Sequence, residues 1–447
     1  MTKPRRWRTI LGILVLTGTL VGLLTPGPCP AETFPIPVEI QPAVQFWLSI
    51  YTRYDLTQGV VHDSRHPEII YGVIELEHPD APNAHRINRR RMRDARQTYR
   101  RILDRLIASP ARDDPHLRQI AALFPEATPD FLQRAKRRIR CQVGQRDRFH
   151  DGLARAAPYI DTIRTIFRNA GLPEDLACLP HVESSFNTRA YSKYGAAGIW
   201  QFTRKTGRHF LQINHAIDER LDPERSSEAA ARLLKINFDK LGSWPLAITA
   251  YNHGIAGMRR AKRRHRTYAA IFQNYRSRRF RFASRNFYPE FLAARQAAVN
   301  AHLYFDDLPS AGARPTIAMP LDGFVSFAAV RHHFQMEADL LRQLNPALRP
   351  SVLKGLQYIP RGYRLRLPAH EWQNRLAYNS RLPDGLLKRR QKASPIYRVR
   401  RGDTLTTIAN RHNLKVADLI AANNLPKRGN RIYVNQKLRL PIGDNRL

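Results

Sequence analysis

Cysteine is scarce in this chain, with three residues among 447, one of them at position 29. Such a count excludes a small fold held together by disulfides. No cysteines or histidines sit at paired metal-ligand spacing, and the adjacent His332-His333 cannot both aim at one ion from a regular element. Neither a phosphate-binding glycine loop nor a nucleophilic-serine motif stands out, so no metal and no cofactor is expected. Acidic residues are the second shortage: 37 Asp and Glu face 74 Lys and Arg, a formal net charge of +37. A surface of that kind attracts polyanions, whether nucleic acid, anionic lipid or an acidic wall polymer. The third shortage is of long apolar runs. Ile10–Leu24 is shorter than the roughly 20 residues that a membrane-spanning helix needs.

That run follows Lys3, Arg5, Arg6 and Arg8 and precedes Cys29-Pro30-Ala31, the pattern of a secretory signal peptide over residues 1–31 with cleavage after Ala31. An uncleaved membrane anchor is the alternative. The protein is therefore expected to be exported, periplasmic or associated with the cell envelope. In that setting the arginine-rich stretches Arg259–Arg266 and Tyr275–Phe282 read as solvated faces meeting anionic wall or membrane surface, not as specific nucleic-acid readers. Cys141 and Cys178 remain after cleavage, as a candidate disulfide or as two separately buried thiols.

Residues 32–157 read as an N-terminal extension, a hairpin followed by very basic helices. Val60 and Val61 face Ile69–Ile74 across a turn-forming stretch, and helix spacing takes over from about Asn83. Residues 158–305 combine helical periodicity with regular Pro, Ser and Gly punctuation, which predicts a compact all-α domain. After Pro309 two similar units appear: Ala338–Asn345 leading to Tyr363–Pro368 echoes Ala417–Asn424 leading to Gln436–Pro441. They give modules at 318–368 and 396–441 with a basic linker, 369–395, between them. The second unit reads strand, helix, helix, strand. The fold class is α+β multidomain: a mainly α domain followed by C-terminal βααβ modules.

The stretch HVESSFNTRAYSKYGAAGIWQF, His181–Phe202, concentrates the candidate chemistry. Glu183 is its single acid and neighbours Leu179 and Val182, so a partly apolar wall should raise its pKa and keep it protonated near neutrality. Gly195, Ala196, Ala197 and Gly198 offer backbone with little bulk, while Trp200 and Phe202 offer aromatic faces and Gln201 an amide suited to sugars. The competing reading is a glycine turn with aromatic core residues. Asp218, Glu219 and Asp222 suit ion pairs and a helix start better than catalysis.

Glu183-Ser184-Ser185-Phe186, Ala190, Ser192, Gly195-Ala196, Gly198, Trp200-Gln201-Phe202 and Ala250-Tyr251-Asn252 with Gly254 resemble the lytic transglycosylases related to goose-type lysozyme, above all the membrane-bound lytic murein transglycosylase D type. The resemblance implies a lysozyme-like catalytic domain acting on peptidoglycan strands. It makes Glu183 the catalytic acid/base, lines the sugar site with Ser184, Ser192, Gly198 and Gln201, and has Tyr251 hold the glutamate and Asn252 contact substrate. Two departures are Trp200, where many relatives carry methionine, and Phe287 in SRNFYPEF, which lacks a Glu…Tyr pair. The last unit resembles the LysM module, through Gly402, Asp403, Thr404, Leu405, Asn423 and Asn424, which implies binding of N-acetylglucosamine-containing glycan. Unit 318–368 looks like a degenerate copy. The implied activity cleaves the β-1,4 bond from N-acetylmuramic acid to N-acetylglucosamine and leaves 1,6-anhydro ends. The alternatives are a muramidase that uses water and a non-catalytic wall-binding scaffold.

Overall fold

The structure is a computed structural model that describes residues 33–108, 114–126, 128–308, 316–369, 382–425 and 431–441. The expected signal peptide lies outside the described residues. A 3-10 turn at Val38–Ile40 leads into α1, Gln41–Thr52, and then strands β1, Gln58–Asp63, and β2, Ile70–Glu75. Helices α2, Ala84–Ala108, α3, Pro115–Ala122, and α4, Pro129–Arg138, precede β3, Ile139–Val143. The expected hairpin forms, with Val60 opposite Val73 and Val61 opposite Gly72. β3 completes an antiparallel sheet of order β2-β1-β3. The basic helical pattern was expected to continue through β3. The chain turns extended at Ile139 instead, because alternation buries Ile139 and Cys141 under α2–α4 beside Val61 and Leu103.

The remaining helices build the larger core. They are α5, Arg146–Ala156, α6, Ile160–Asn169, α7, Leu179–Ser184, α8, Arg204–Gly207, α9, Pro223–Leu241, α10, Trp244–His253, α11, Ile255–His265, α12, Tyr268–Asn274, and α13, Phe282–Val299. Their starts follow local chemistry. Asp222 caps α9 by accepting from the backbone N–H groups of Glu224 and Arg225, and Pro223 follows at the first helical position. Gly242 ends α9 in the left-handed conformation.

The expected separation between an extension over 32–157 and a domain starting at 158 differs from the structure. α1 is apolar on most of its circumference, burying Val44, Phe46, Trp47, Ile50 and Tyr51, and a helix of that kind belongs inside a core. It packs on α13 in the same cluster as Phe149, Phe167, Trp200 and Phe291. The candidate disulfide is also corrected. Cys141 belongs to the smaller core under the sheet and Cys178 to the larger one; both are free and buried. Burial pushes their thiols up to about 11 and about 12.

Two strand–helix–strand units follow, the first with a third, four-residue helix beyond the expected two. In the first, β4, Thr316–Pro320, pairs antiparallel with β5, Arg364–Pro368, around α14, Phe327–His333, α15, Ala338–Leu344, and α16, Pro350–Leu353. In the second, β6, Ile396–Arg398, pairs with β7, Lys437–Arg439, around α17, Leu405–Arg411, and α18, Val416–Ala422. One asparagine does the same work in each. The Asn345 amide donates to Leu341 and Arg366 carbonyls and accepts from Arg366 N–H; Asn423 does so with Leu419 and Arg439. The internal repeat is thus a repeat of hydrogen bonding as well as of sequence.

The first unit is docked on the helical core. Ile217 bridges Leu348, Arg349 pairs with Asp218, and Arg366 reaches Asp222 and Glu224. Part of the expected linker belongs to this unit too: Leu382 is buried in its core, and Gln391 bonds both N–H and C=O of Tyr358.

Candidate active site

Glu183 sits near the end of α7, a helix of six residues that stops abruptly. Ser185 and Phe186 take consecutive left-handed conformations, φ +48° and +56°, which end the helix and sink Phe186 into the core. Among the described residues no hydrogen bond or ion pair holds the Glu183 carboxyl. It stays partly open to solvent, yet surrounding protein desolvates it and pushes it up to about 8. A carboxylic acid therefore persists at neutral pH, as its neighbours in the sequence suggested. His181, two residues earlier, adds no second acid. It is buried against Phe149, with ring centroids 4.7 Å apart, and burial with the nearby Arg155 lowers it to about 3.

Of the residues named from the sequence, Ser184 and Tyr251 neighbour this acid, while Asn252, Ser192 and Gln201 are held by bonds of their own. The Ser184 hydroxyl donates to the Ile199 carbonyl at 2.9 Å, tying α7 to the glycine-bearing loop. Tyr251, on α10, is pushed up by burial and then by the charge of Glu183, so the two lie close. Its hydroxyl donates to the Trp200 carbonyl at 2.8 Å, which fixes the ring; no hydrogen bond to Glu183 forms. Asn252 is exposed and its Oδ1 accepts from the Ser284 hydroxyl. Ser192 organises its own loop by accepting from Tyr194 and Ala196 N–H groups. Gln201, at φ +47°, donates to the Gly198 carbonyl.

Two expectations about ligand contact are corrected. Trp200 and Phe202 were expected to stack on sugars, but Trp200 is 0% exposed, its indole N–H held by Ser227, and Phe202 is also core. Gly198 is not open to an approaching ligand. At φ +76° a Cβ there would lie 1.7 Å from the Arg220 carbonyl oxygen, so the glycine serves close packing. Arg220 in turn donates to the Gly195 and Phe202 carbonyls while Asp218 grips it bidentately, so this buried pair shapes the loop. The exposed aromatics of the region are Tyr191 and Tyr194, 56% and 82% exposed. Their position in YSKYG, beside a glycine and a lysine, was the available signal.

Sequence reasoning also missed a second carboxyl. Glu290 lies on α13, which packs against both α1 and α7. Burial and then Glu183 push it up to about 8, with Arg140 opposing. Tyr51 of α1 is raised by burial, Glu290 and Glu183. Glu290 is the lone acid of a buried helical run directly after Pro289. That isolation was visible, but its pairing with α7 is a tertiary fact.

In the last module the six named residues mostly hold the fold. Gly402 takes φ +84° in the turn, and Asp403 accepts from Tyr397, Arg400 and Arg411. Thr404, which is exposed, caps α17 with its hydroxyl, and Leu405 is buried. Asn423, expected to meet glycan, is consumed by the stitch to β7, and Asn424 donates to the His215 carbonyl of the helical core. No group of three or more His, Cys, Asp or Glu suited to a metal ion occurs among the described residues.

Comparison with known proteins matches residues 164–273 to the transglycosylase SLT domain and residues 397–441 to the LysM domain. The chain carries an SLT domain followed by a LysM domain. Glu183, Gln201, Tyr251 and Asn252 all fall within the SLT domain. The chain is similar to membrane-bound lytic murein transglycosylase D of Escherichia coli K12, 28% identical over 305 residues, covering 66% of each chain. It thus spans about two thirds of that relative's length. Among solved structures, the lytic transglycosylase Slt of Pseudomonas aeruginosa matches over 49% of this chain and 34% of its own, at 18% identity and a TM-score of 0.28. The 70 kDa soluble lytic transglycosylase of Escherichia coli matches over 48% and 37%, at 18% identity and a TM-score of 0.29.

Proposed function

We propose that this protein is a peptidoglycan lytic transglycosylase of the cell envelope, exported by its N-terminal segment and held to the wall by its LysM domain. The observation that carries the reading is the protonated, partly open carboxyl of Glu183 inside an SLT domain.

Glu183 donates its proton to the oxygen bridging N-acetylmuramic acid and N-acetylglucosamine, and the C1–O bond breaks as positive charge develops at C1. The substrate's 2-acetamido group steadies that charge. The resulting Glu183 carboxylate then takes the proton of the muramoyl 6-hydroxyl as its oxygen bonds to C1, closing a 1,6-anhydro ring. No water is consumed, and the acid is regenerated. One group acting first as acid and then as base follows ordinary proton-transfer logic, and attack from within the same ring gains from proximity.

Hydrolysis by two carboxylates is disfavoured by the state of Glu290. An ionised partner is needed as nucleophile or as base for water. Desolvation and Glu183 together keep the Glu290 proton on near neutrality. Glu183→Gln is expected to abolish release of fragments from purified sacculi while leaving wall binding intact. Mass spectrometry of the parental products reads the reaction type, since anhydro ends are lighter by one water than reducing ends. Fragments with reducing ends would establish a muramidase, and release at parental rate by Glu183→Gln would remove Glu183 from the chemistry. Absence of release by the parental protein would leave a binding scaffold.

A further inference from the structure

A cavity of about 600 Å³ opens between α2 and the β2-β1-β3 sheet. Leu76 and Met92 contribute apolar surface, and Arg89, Arg96, Arg140 and Arg148 surround it. No carboxylate lines it. Among the described residues none of the four arginines has an acidic hydrogen-bond or salt-bridge partner: Arg89 meets His85, Arg96 donates to the Met92 carbonyl, and Arg140 lies 4.1 Å over the Phe282 ring. Guanidinium groups left together in this way repel one another; burial weakens the hold of Arg140 on its proton, Glu290 opposes that and Arg96 adds to it. Some arginines of the extension find acidic partners, as Arg91 does with Glu77 and Arg138 with Asp63. The cavity instead gathers four that do not around one concave surface, which suits a ligand that brings several carboxylates to a partly apolar surface.

Its position relates it to Glu183. Arg148 stands one turn before Gly152 on α5, roughly 6 Å along the helix. A Cβ on Gly152 would lie 3.2 Å from Ser185 Cβ and 3.3 Å from His181 Nδ1, so α5 packs on the side of α7 opposite the Glu183 side chain. On the other side Arg140 covers Phe282, the first residue of the helix that carries Glu290. On its Arg140 side the cavity thus adjoins the helix that carries Glu290, and on its Arg148 side the helix packed behind Glu183.

We propose that this cavity receives the anionic peptide stem of the muramoyl residue whose bond is cleaved. The proposal rests on the peptidoglycan reading above. An extended stem of four residues spans roughly 13–14 Å, the length of chain available to reach from the sugar toward these arginines. Its free carboxylates meet the arginines, and its aliphatic portions meet Leu76 and Met92.

The test uses the full chain and an Arg89→Ala/Arg96→Ala double variant; both residues lie on α2, outside the candidate active site. Two substrates are compared: peptide-bearing sacculi, and glycan strands stripped of their stems by an amidase. The variant should show a KM raised roughly 10- to 100-fold on the peptide-bearing substrate, as loss of charge-assisted hydrogen bonds implies. Its kcat should hold, and its kinetics on stripped glycan should match the parental protein. Calorimetric titration with a soluble N-acetylmuramoyl tetrapeptide gives a readout independent of turnover. Binding should be lost in the double variant and partly restored by Arg89→Lys/Arg96→Lys. Equal loss on both substrates, no change on either, or lost binding only to phosphatidylglycerol vesicles would overturn the assignment. If the parental protein yields no anhydro ends yet titrates with the muramoyl peptide through these arginines, the proposed reaction fails while the stem site stands.

Discussion

Replacing Glu183 by glutamine should alter how stability depends on pH, and the size of the effect follows from the environment of this carboxyl. Its pKa rises from the usual 4.5 to about 8 through burial. Between those values the folded chain keeps a proton that the unfolded chain has released. Parental stability therefore falls as pH rises through this window, by at most ~1.4 kcal/mol per unit, and is undiminished below 4.5. Over the whole window the limit is about 5 kcal/mol, which partial exposure to solvent reduces to about 2–3 kcal/mol. Glutamine has no proton to lose. The variant and parental proteins should melt alike near pH 4.5 and diverge with rising pH, until the variant leads by about 3–5 °C near pH 8. Glu290 acts in the same direction, because the variant no longer opposes its ionisation. Differential scanning calorimetry across this range measures the gap. A gap that does not change with pH, or a parental protein that is the more stable one at alkaline pH, would refute the desolvated acid.

Activity should share that window: kcat/KM for fragment release is expected to fall as pH rises through about 8, where Glu183 loses its proton, as a pH–rate profile on sacculi would show. Gly198→Ala should cost about 3 kcal/mol or more, since its Cβ meets the Arg220 carbonyl in a left-handed backbone; denaturant unfolding would register the loss. Arg366→Ala leaves the buried Asp222 carboxylate without its partner and should cost about 3–5 kcal/mol by the same measurement.

How much was legible depended on whether the deciding contact was local. The hairpin was readable because β-branched residues flank a turn-forming stretch. The paired βααβ units were readable because ADLLRQLN and ADLIAANN repeat in step with the closing strands, and the structure adds the asparagine stitch that makes the step meaningful. Glu183 was readable as a lone acid in an apolar setting. Other features depend on distant partners. The α1 helix has no polar stripe to announce which surface it covers, and only its packing on α13 makes it part of the larger core. Trp200 looks like a sugar platform until Ser227 is seen to take its indole N–H. Glu290 feels the charges of Glu183 and Arg140 only because elements distant in sequence converge there. Cys141 and Cys178 looked like a pair because sequence counts thiols but does not measure which core each enters.

The weld between the helical core and the first βααβ unit bears on where the protein can be shortened. Ala216 and Ile217, from the loop before α9, are buried in the core of that unit; Asp222 pairs with Arg366, and Asp218, already held by Arg220, also meets Arg349. A truncation ending at residue 305 would strip those side chains of their cover, leaving a greasy, anionic scar beside the loop that supports Gly195 and Phe202. The smallest self-sufficient fragment therefore has to carry its neighbour along.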